Sequence, residues 1–334
     1  MSEVMVSVCC LVYNHEKYLR QCLDGFVNQK TNFKFEVLIH DDASTDSSAA
    51  IIREYEEKYP ELIKPIYQTE NQYSKGIRIT YTYQYPRVTG KYIAFCEGDD
   101  YWIDENKLQK QFDFMEAHLE CSLCVHRVQH IWESGEMLDC TQPRGPMKTG
   151  IISQEEAVAV ITNGAMPFQT SSFFCRKALS EIDRRPEFLV TAPVGDLPRL
   201  LFLADQGPFA YIDEVMSCYR RGVAGSWTLR DGRNMSFRRN NLIGIEKMYR
   251  LYDEYTDKKY SKSIERAIRF KQFELYTVYL DVRNMRKKEY REYYEEHYKT
   301  LSFKARLAYA AVYFFPFLKD VVRRLRDRKI TTVG

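Results

Sequence analysis

Two acidic runs, Asp41-Asp42-Ala43-Ser44-Thr45-Asp46 and Glu97-Gly98-Asp99-Asp100, each stand directly after a short apolar stretch. Phe35-Glu36-Val37-Leu38-Ile39-His40 leads into the first and Tyr92-Ile93-Ala94-Phe95-Cys96 into the second. Such runs suit strands of a largely parallel sheet covered by helices on both faces. In open α/β sheets, ligands gather beyond the carboxyl ends of the strands. Carboxylates brought together there repel one another unless a cation or hydrogen-bond donors hold them, which predicts a divalent metal with oxygen ligands.

The start of the chain extends this pattern. Val6-Ser7-Val8-Cys9-Cys10-Leu11-Val12 reads as a strand that ends at Tyr13-Asn14-His15-Glu16. Tyr18, Leu19, Cys22, Leu23, Phe26 and Val27 then mark one stripe of an amphipathic helix. A second helix is expected over about Asp46 to Tyr59, with Asp46 as its N-cap. Strand, helix, strand, helix in this order favours a parallel sheet. Neither GxGxxG nor GxxxxGK[ST] occupies the turns, so phosphate here is expected to meet metal and Arg or Lys rather than a glycine loop.

Val12-Tyr13-Asn14, then Asp41 to Asp46, then Glu97-Gly98-Asp99-Asp100-Tyr101-Trp102 resemble the motifs of family 2 glycosyltransferases in order and spacing. The resemblance covers roughly residues 4 to 225. It implies a GT-A fold and an inverting, nucleotide-sugar-dependent reaction. Carried over residue by residue, it puts Tyr13, Asn14 and one of Asp41 or Asp42 at the nucleobase, with Asp42 the preferred acceptor for the N3–H of uracil. Glu97 then faces the ribose and Asp99 holds Mn²⁺ or Mg²⁺ against the diphosphate, assisted through a water by Asp100. The general base falls at Asp196 in Val194-Gly195-Asp196-Leu197-Pro198. An Asp before Leu197 and Pro198 is equally a helix cap, so both readings stand. Cations for the leaving group are Lys75 and Arg78 in one loop and Arg220 and Arg221 in another. Relatives often carry His where Gly222 stands, which leaves a third protein ligand to the metal in doubt. Pro167 to Ser172 matches the region of the acceptor and sugar pocket.

Length and composition set the frame around these motifs. The 334 residues divide into an expected catalytic domain over 1–227 and a helical extension over 228–334, and 45% hydrophobic residues supply a sizeable core. A net charge of +3 is too slight to imply nucleic acid. The first strand begins within a few residues, so no signal peptide is expected, and nine cysteines, an odd number, then read as reduced thiols in a cytosol. Cys121, Cys124, His126 and His130 could suggest zinc, but one strand over Ser122 to Trp132 would send Cys121 to the face opposite the other three.

Helical spacing continues over Asn234 to Tyr255, Ser261 to Arg286 and Lys288 to Tyr298. Residues 301–334 carry eight Lys or Arg against two Asp, a net of +6 within a chain of +3. Inside this segment Leu307 to Leu318 is uncharged and aromatic, and shorter than the roughly 20 residues that span a bilayer. An interfacial helix over about 301–330, resting on an anionic membrane, is one expectation, and a helix packed on the protein is the other.

The expected activity is transfer of a sugar from a UDP-linked donor to a saccharide or lipid-linked saccharide, in surface polysaccharide assembly, as the resemblance implies. A sugar-phosphate nucleotidylyltransferase would want a basic, glycine-rich loop after the first strand, which Tyr13-Asn14-His15-Glu16 does not supply. A silent sugar-nucleotide or membrane-binding module has no need of Asp99 and Asp196.

Overall fold

The computed structural model describes residues 3–163, 166–177, 181, 185–229 and 234–324. Its contacts divide the chain into two units, the first comprising Met1–Val160, Met166–Arg185 and Arg199–Val223, the second Ile161–Ala165, Pro186–Pro198 and Ala224–Gly334.

The first unit holds the strands β1 (Val4–Val12), β2 (Lys34–Asp41), β3 (Ile63–Tyr67), β4 (Tyr92–Phe95), β5 (Tyr101–Trp102), β6 (Leu123–Trp132), β7 (Met137–Gln142), β8 (Gly150–Ile152), β9 (Phe174–Arg176) and β10 (Phe209–Arg221). They form one sheet in the order β3-β2-β1-β4-β9-β6-β10-β5, with β7 against β6 and β8 against β10. The mixed α/β architecture expected from the apolar runs is present. β1 runs parallel to both β2 and β4, with Val12 opposite Asp41 and Cys9 opposite Phe95. Three parallel neighbours therefore release their chains at one edge, and both acidic runs emerge there.

The opposite ends of these strands are pinned by a buried acid. Glu36 accepts from the Ser7 hydroxyl at 2.6 Å and the Thr89 hydroxyl at 2.7 Å. A carboxylate this far from water is tolerated because donors surround it.

Helix α1 (Leu19–Val27) buries Leu19, Cys22, Leu23 and Phe26, the stripe read from the sequence. It lies close to β5: a Cβ on Gly25 would stand 2.9 Å from the Trp102 carbonyl oxygen, so only glycine fits. The Phe26 and Trp102 rings meet edge to face at 4.8 Å. Helix α2 (Ser48–Lys58) has Ser47 at its cap, one residue after the Asp46 expected there, and Asp46 Oδ1 accepts the N–H of Ser48 at 2.9 Å just ahead of the helix. Cys124 and His126 on β6 are buried, and none of the nine cysteines is in a disulfide. This unit also holds α3 (Lys107–Ala117), most of α4 (Gln154–Ile161) and most of α6 (Asp196–Gln206), whereas α5 (Glu187–Thr191) lies in the second.

The second unit is mainly helical. Asn234 caps the helix Met235–Tyr255, its side chain accepting from the N–H groups of Ser236 and Phe237. The helix expected over Ser261 to Arg286 is instead broken. It runs over Ser261–Tyr279, ends at Leu280 in the left-handed conformation (φ 53°), and restarts as Val282–Met285 with the Asp281 side chain accepting the N–H of Asn284. Leu280 is buried with Phe273, Val282, Met285, Tyr290, Tyr309 and Val312, and this apolar contact accounts for a non-glycine residue in a left-handed cap. One 3₁₀ turn, Lys288–Tyr290, precedes the helix Arg291–Thr300.

Phe26→Ala is expected to lower stability by about 3–5 kcal/mol, because it empties a fully buried site packed against Trp102. Urea unfolding followed by tryptophan fluorescence measures it, and a loss under about 1 kcal/mol would contradict this packing.

Candidate active site

The loop after β1 and the loop after β2 are laced together before any ligand arrives. The Asn14 N–H donates to Ser44 Oγ at 3.0 Å, and the His15 N–H donates to Ser48 Oγ at 2.9 Å. In return the Thr45 N–H donates to Asn14 Oδ1 at 2.7 Å and the Ser47 N–H to Glu16 Oε2 at 2.8 Å. Asn14 and Ala43 both have positive φ, 56° and 60°. Asn tolerates this region, whereas Ala43 holds it at a cost of about 1–2 kcal/mol, as residues at ligand-binding turns often do. Tyr13, at the tip, is 45% exposed.

Asp41 and Asp42 are both buried, yet their surroundings differ. The Asp42 carboxylate accepts the N–H of Gln72 at 2.8 Å and of Tyr73 at 3.1 Å, with His40 Nε2 at 3.4 Å from Oδ1. It therefore holds the start of the loop that carries Lys75 and Arg78. The preference for Asp42 as the base-facing acid meets a carboxylate already engaged with main chain. Asp41 Oδ2 accepts the Ser44 N–H at 3.4 Å, the Ser44 side chain also bonds the carboxyl, and Oδ1 is buried with no partner among the described residues. Burial raises the Asp41 carboxyl above its ordinary range.

The second acidic run presses against the first loop. The Gly98 N–H donates to the Leu11 carbonyl at 2.9 Å, and a Cβ on Gly98 would stand 2.8 Å from His15 Nδ1 and 3.0 Å from Val12 Cγ2. Glu97 is exposed and Asp99 half-buried. Asp100 is buried, its Oδ1 accepting the Arg220 N–H at 2.9 Å. Burial, then the charge of Asp99, raises the Asp100 carboxyl well above the usual range. Asp100 is thus an anchor first, with one oxygen committed before a metal could use it.

Arg220 is the other half of that anchor. Its Nε donates to the main-chain carbonyl of Asp99 at 3.0 Å and its NH2 to Gln21 Oε1 at 2.8 Å, while its guanidinium lies 4.6 Å from the centre of the Tyr18 ring. Tyr18 is fixed in turn by its hydroxyl, which donates to Glu133 at 2.7 Å. These side chains line an open groove of about 490 Å³ that also takes in Lys17. Arg220, expected at the diphosphate, has bonds that hold the acidic turn in place. Gln21 and Glu133 carried no motif in the sequence, and only their convergence on Arg220 reveals them.

Other candidates are distributed differently. Lys75 is exposed and paired with Glu70. Arg78 and Arg221 are half-buried, and the charge of Arg221 is felt at His130, which burial already holds below its ordinary value. The stretch from Pro167 to Ser172 is packed: Ser171 and Ser172 are buried, Ser171 Oγ lies 3.0 Å from Ser217 Oγ, and the Ser171 carbonyl accepts from Trp102 at 3.1 Å. Asp196 falls in the second unit, half-buried at the start of α6, its Oδ1 accepting the Leu197 N–H at 2.8 Å.

Arg220→Lys keeps the charge but cannot reproduce the fork or the stacking. It is expected to cost about 2–3 kcal/mol in urea unfolding, as hydrogen bonds to a buried charged group are lost. Unchanged stability would remove Arg220 from this anchoring role.

The glycosyl transferase family 2 profile matches residues 7–182. An uncharacterized protein of Mycobacterium tuberculosis is 35% identical over 227 residues, which are 66% of this chain and 60% of that protein, so the chain spans well under two thirds of this relative's length. Among solved structures, the mannosyltransferase PcManGT of Pyrobaculum calidifontis, in complex with GDP-Man and Mn²⁺, aligns at a TM-score of 0.53 and 14% identity over 99% of this chain and 86% of its own. Staphylococcus aureus TarS 1-349 in complex with UDP-GlcNAc aligns at 0.50 and 16% identity over 83% and 80%. The fold is that of these GT-A proteins, and with more than half of its residues inside the profile the chain belongs to glycosyl transferase family 2.

Proposed function

We propose that the chain transfers a sugar, with inversion, from a UDP-linked donor to a hydroxyl of a saccharide or lipid-linked saccharide. The observation that carries this reading is the buried, partnerless Oδ1 of Asp41 at the same sheet edge as the Asp99 turn. An acceptor oxygen held without a donor suits the N3–H of a uracil. Its neighbour Asp42 is already used, so we assign the base contact to Asp41, with Tyr13 and Asn14 beside it and Glu97 toward the ribose.

Among the described residues no three His, Cys, Asp or Glu side chains converge to hold a metal. The half-buried Asp99 carboxylate and the second oxygen of Asp100 are hard oxygen donors of the kind Mg²⁺ or Mn²⁺ takes, which such sites complete with substrate phosphates and water. Asp99 would hold it, with Asp100 limited to its second oxygen. A metal bound there supplies positive charge for the departing diphosphate. Arg78 and Arg221 are the protein cations we assign to the same charge, in place of Arg220.

In the transfer the acceptor hydroxyl oxygen bonds to the anomeric carbon, the bond from that carbon to the diphosphate oxygen breaks, and the hydroxyl proton passes to a carboxylate. We assign that base to Asp196. A single displacement reverses the configuration and needs no covalent sugar on the protein. Nine free cysteines, eight of them buried, accord with a reducing compartment, and we place the enzyme in the cytosol.

Thermal-shift screening of UDP-, GDP- and TDP-sugars with Mn²⁺ tests the donor, and stabilisation by no nucleotide would sink this reading. Asp41→Asn is expected to weaken UDP binding by about tenfold or more while leaving stability near normal, and Asp42→Asn to lower stability by about 1–3 kcal/mol through its lost main-chain bonds. The reverse pattern would return the base contact to Asp42. Asp99→Ala should abolish the enhancement of UDP affinity by Mn²⁺ in calorimetry. Asp196→Asn should keep donor binding and lower turnover by on the order of 10² or more, since Asn caps a helix but takes no proton. Turnover close to normal would leave Asp196 a cap only.

A further inference from the structure

The helix Phe303–Phe314 is apolar on more than the side it packs with. Tyr309 and Val312 are buried in the core of the second unit. Phe303, Leu307 and Phe314, spaced four and seven residues apart, form one line along the helix and are 76%, 55% and 68% exposed. Phe315 and Phe317 continue the exposed line at 53% and 77%. Exposed aromatic rings in such a run mark a surface that is covered in use.

Cations gather at the Phe314 end of this apolar line. Arg283, Arg286 and Lys287 line an open groove of about 460 Å³ together with Tyr313 and Phe314. The Arg286 guanidinium stacks 4.3 Å from the centre of the Tyr313 ring, and Arg283 Nε donates to the Tyr313 carbonyl at 3.4 Å, so two of the three are held in place. The sequence adds Lys304, Lys319 and Arg324 nearby in the chain. Of the other cations counted in the sequence, Arg326, Arg328 and Lys329 lie outside the described residues. No described helix is long and apolar enough to cross a membrane.

We propose that this face docks on an anionic phospholipid bilayer, with Phe303, Leu307, Phe314 and Phe317 entering at headgroup depth and the groove of Arg283, Arg286 and Lys287 taking lipid phosphate. A purely apolar protein surface would leave these cations unanswered, whereas an apolar run with cations at its Phe314 end matches a surface that offers acyl chains below and phosphates above. The stripe found here on Phe303–Phe314 is the specific element within the segment 301–330.

Sedimentation of the full chain with vesicles of phosphatidylglycerol and phosphatidylcholine, against phosphatidylcholine alone, tests this at low and high salt. Binding is expected to the anionic vesicles only and to fall steeply with salt, as charges at such a surface are screened over about 10 Å at 0.1 M. Arg283→Gln with Lys287→Gln should weaken it by about fivefold per cation. Leu307→Glu with Phe314→Glu, at exposed positions, should weaken it by about tenfold or more. Circular dichroism melting checks that each variant is folded, and Phe317→Glu alone serves if the double variant is not. Folded full-length chain that ignores anionic vesicles, or binds neutral ones equally, overturns the proposal, as does binding untouched by the variants. A dimer that Phe314→Glu dissociates, without vesicle binding, assigns the face to a second copy instead. No sugar transfer enters the measurement, so its failure leaves the proposed reaction untouched.

Discussion

The carboxylate of Asp100 lies beneath the surface, 2.9 Å from the N–H of Arg220. A carboxylate without water is costly unless donors replace it, and here the donor comes from 120 positions further along the chain. β10 must therefore reach the turn after β4 for that turn to exist as it does. The same logic holds at Asp42, whose two oxygens draw the main chain of Gln72 and Tyr73 over the end of β2. In each adjacent pair of acids, one carboxylate organises backbone, and the other, Asp41 or Asp99, is the one placed by it.

That division explains why a turn of three acids and a glycine, Glu97 to Asp100, can be well defined. Repulsion between Asp99 and Asp100 raises the Asp100 carboxyl, on top of the larger effect of burial. The guanidinium of Arg220 answers with bonds to a carbonyl and to Gln21, so its charge is near while its donors serve the loop. Gly98 completes the arrangement, since any side chain there would strike His15 and Val12.

The parallel strands and the edge where the acids emerge were legible because runs of three to five consecutive apolar residues, Val8 to Val12, Val37 to Ile39 and Tyr92 to Cys96, stand just before polar turns. Helix α1 was legible for the same reason, its stripe being set by spacing alone. Which member of the buried pair Asp41-Asp42 is engaged by main chain was not, because the partners, the N–H groups of Gln72 and Tyr73, belong to main chain that carries no sequence signal. The partners of Arg220 were hidden on the same ground: an arginine near a motif suggests a phosphate ligand, and nothing in the sequence announces its bonds to Gln21 and the Asp99 carbonyl. The helix break at Leu280 had no Gly or Pro to announce it, and burial of the leucine side chain overrode backbone preference. Pro167 to Ser172 looked polar and proved to be packed, because its hydroxyls and carbonyls pair with one another and with Trp102.

The cross-lacing of residues 14–16 with 44–48 has a consequence for how a ligand is met. Main-chain N–H groups on both sides are already bonded to Asn14, Glu16, Ser44 and Ser48, so the cleft has little conformational entropy left to lose. Loops that order on binding add a heat-capacity change of their own and slow the encounter. A cleft laced in advance should add neither, so its encounter rate would follow diffusion and charge, and its selectivity would come from departure rather than arrival.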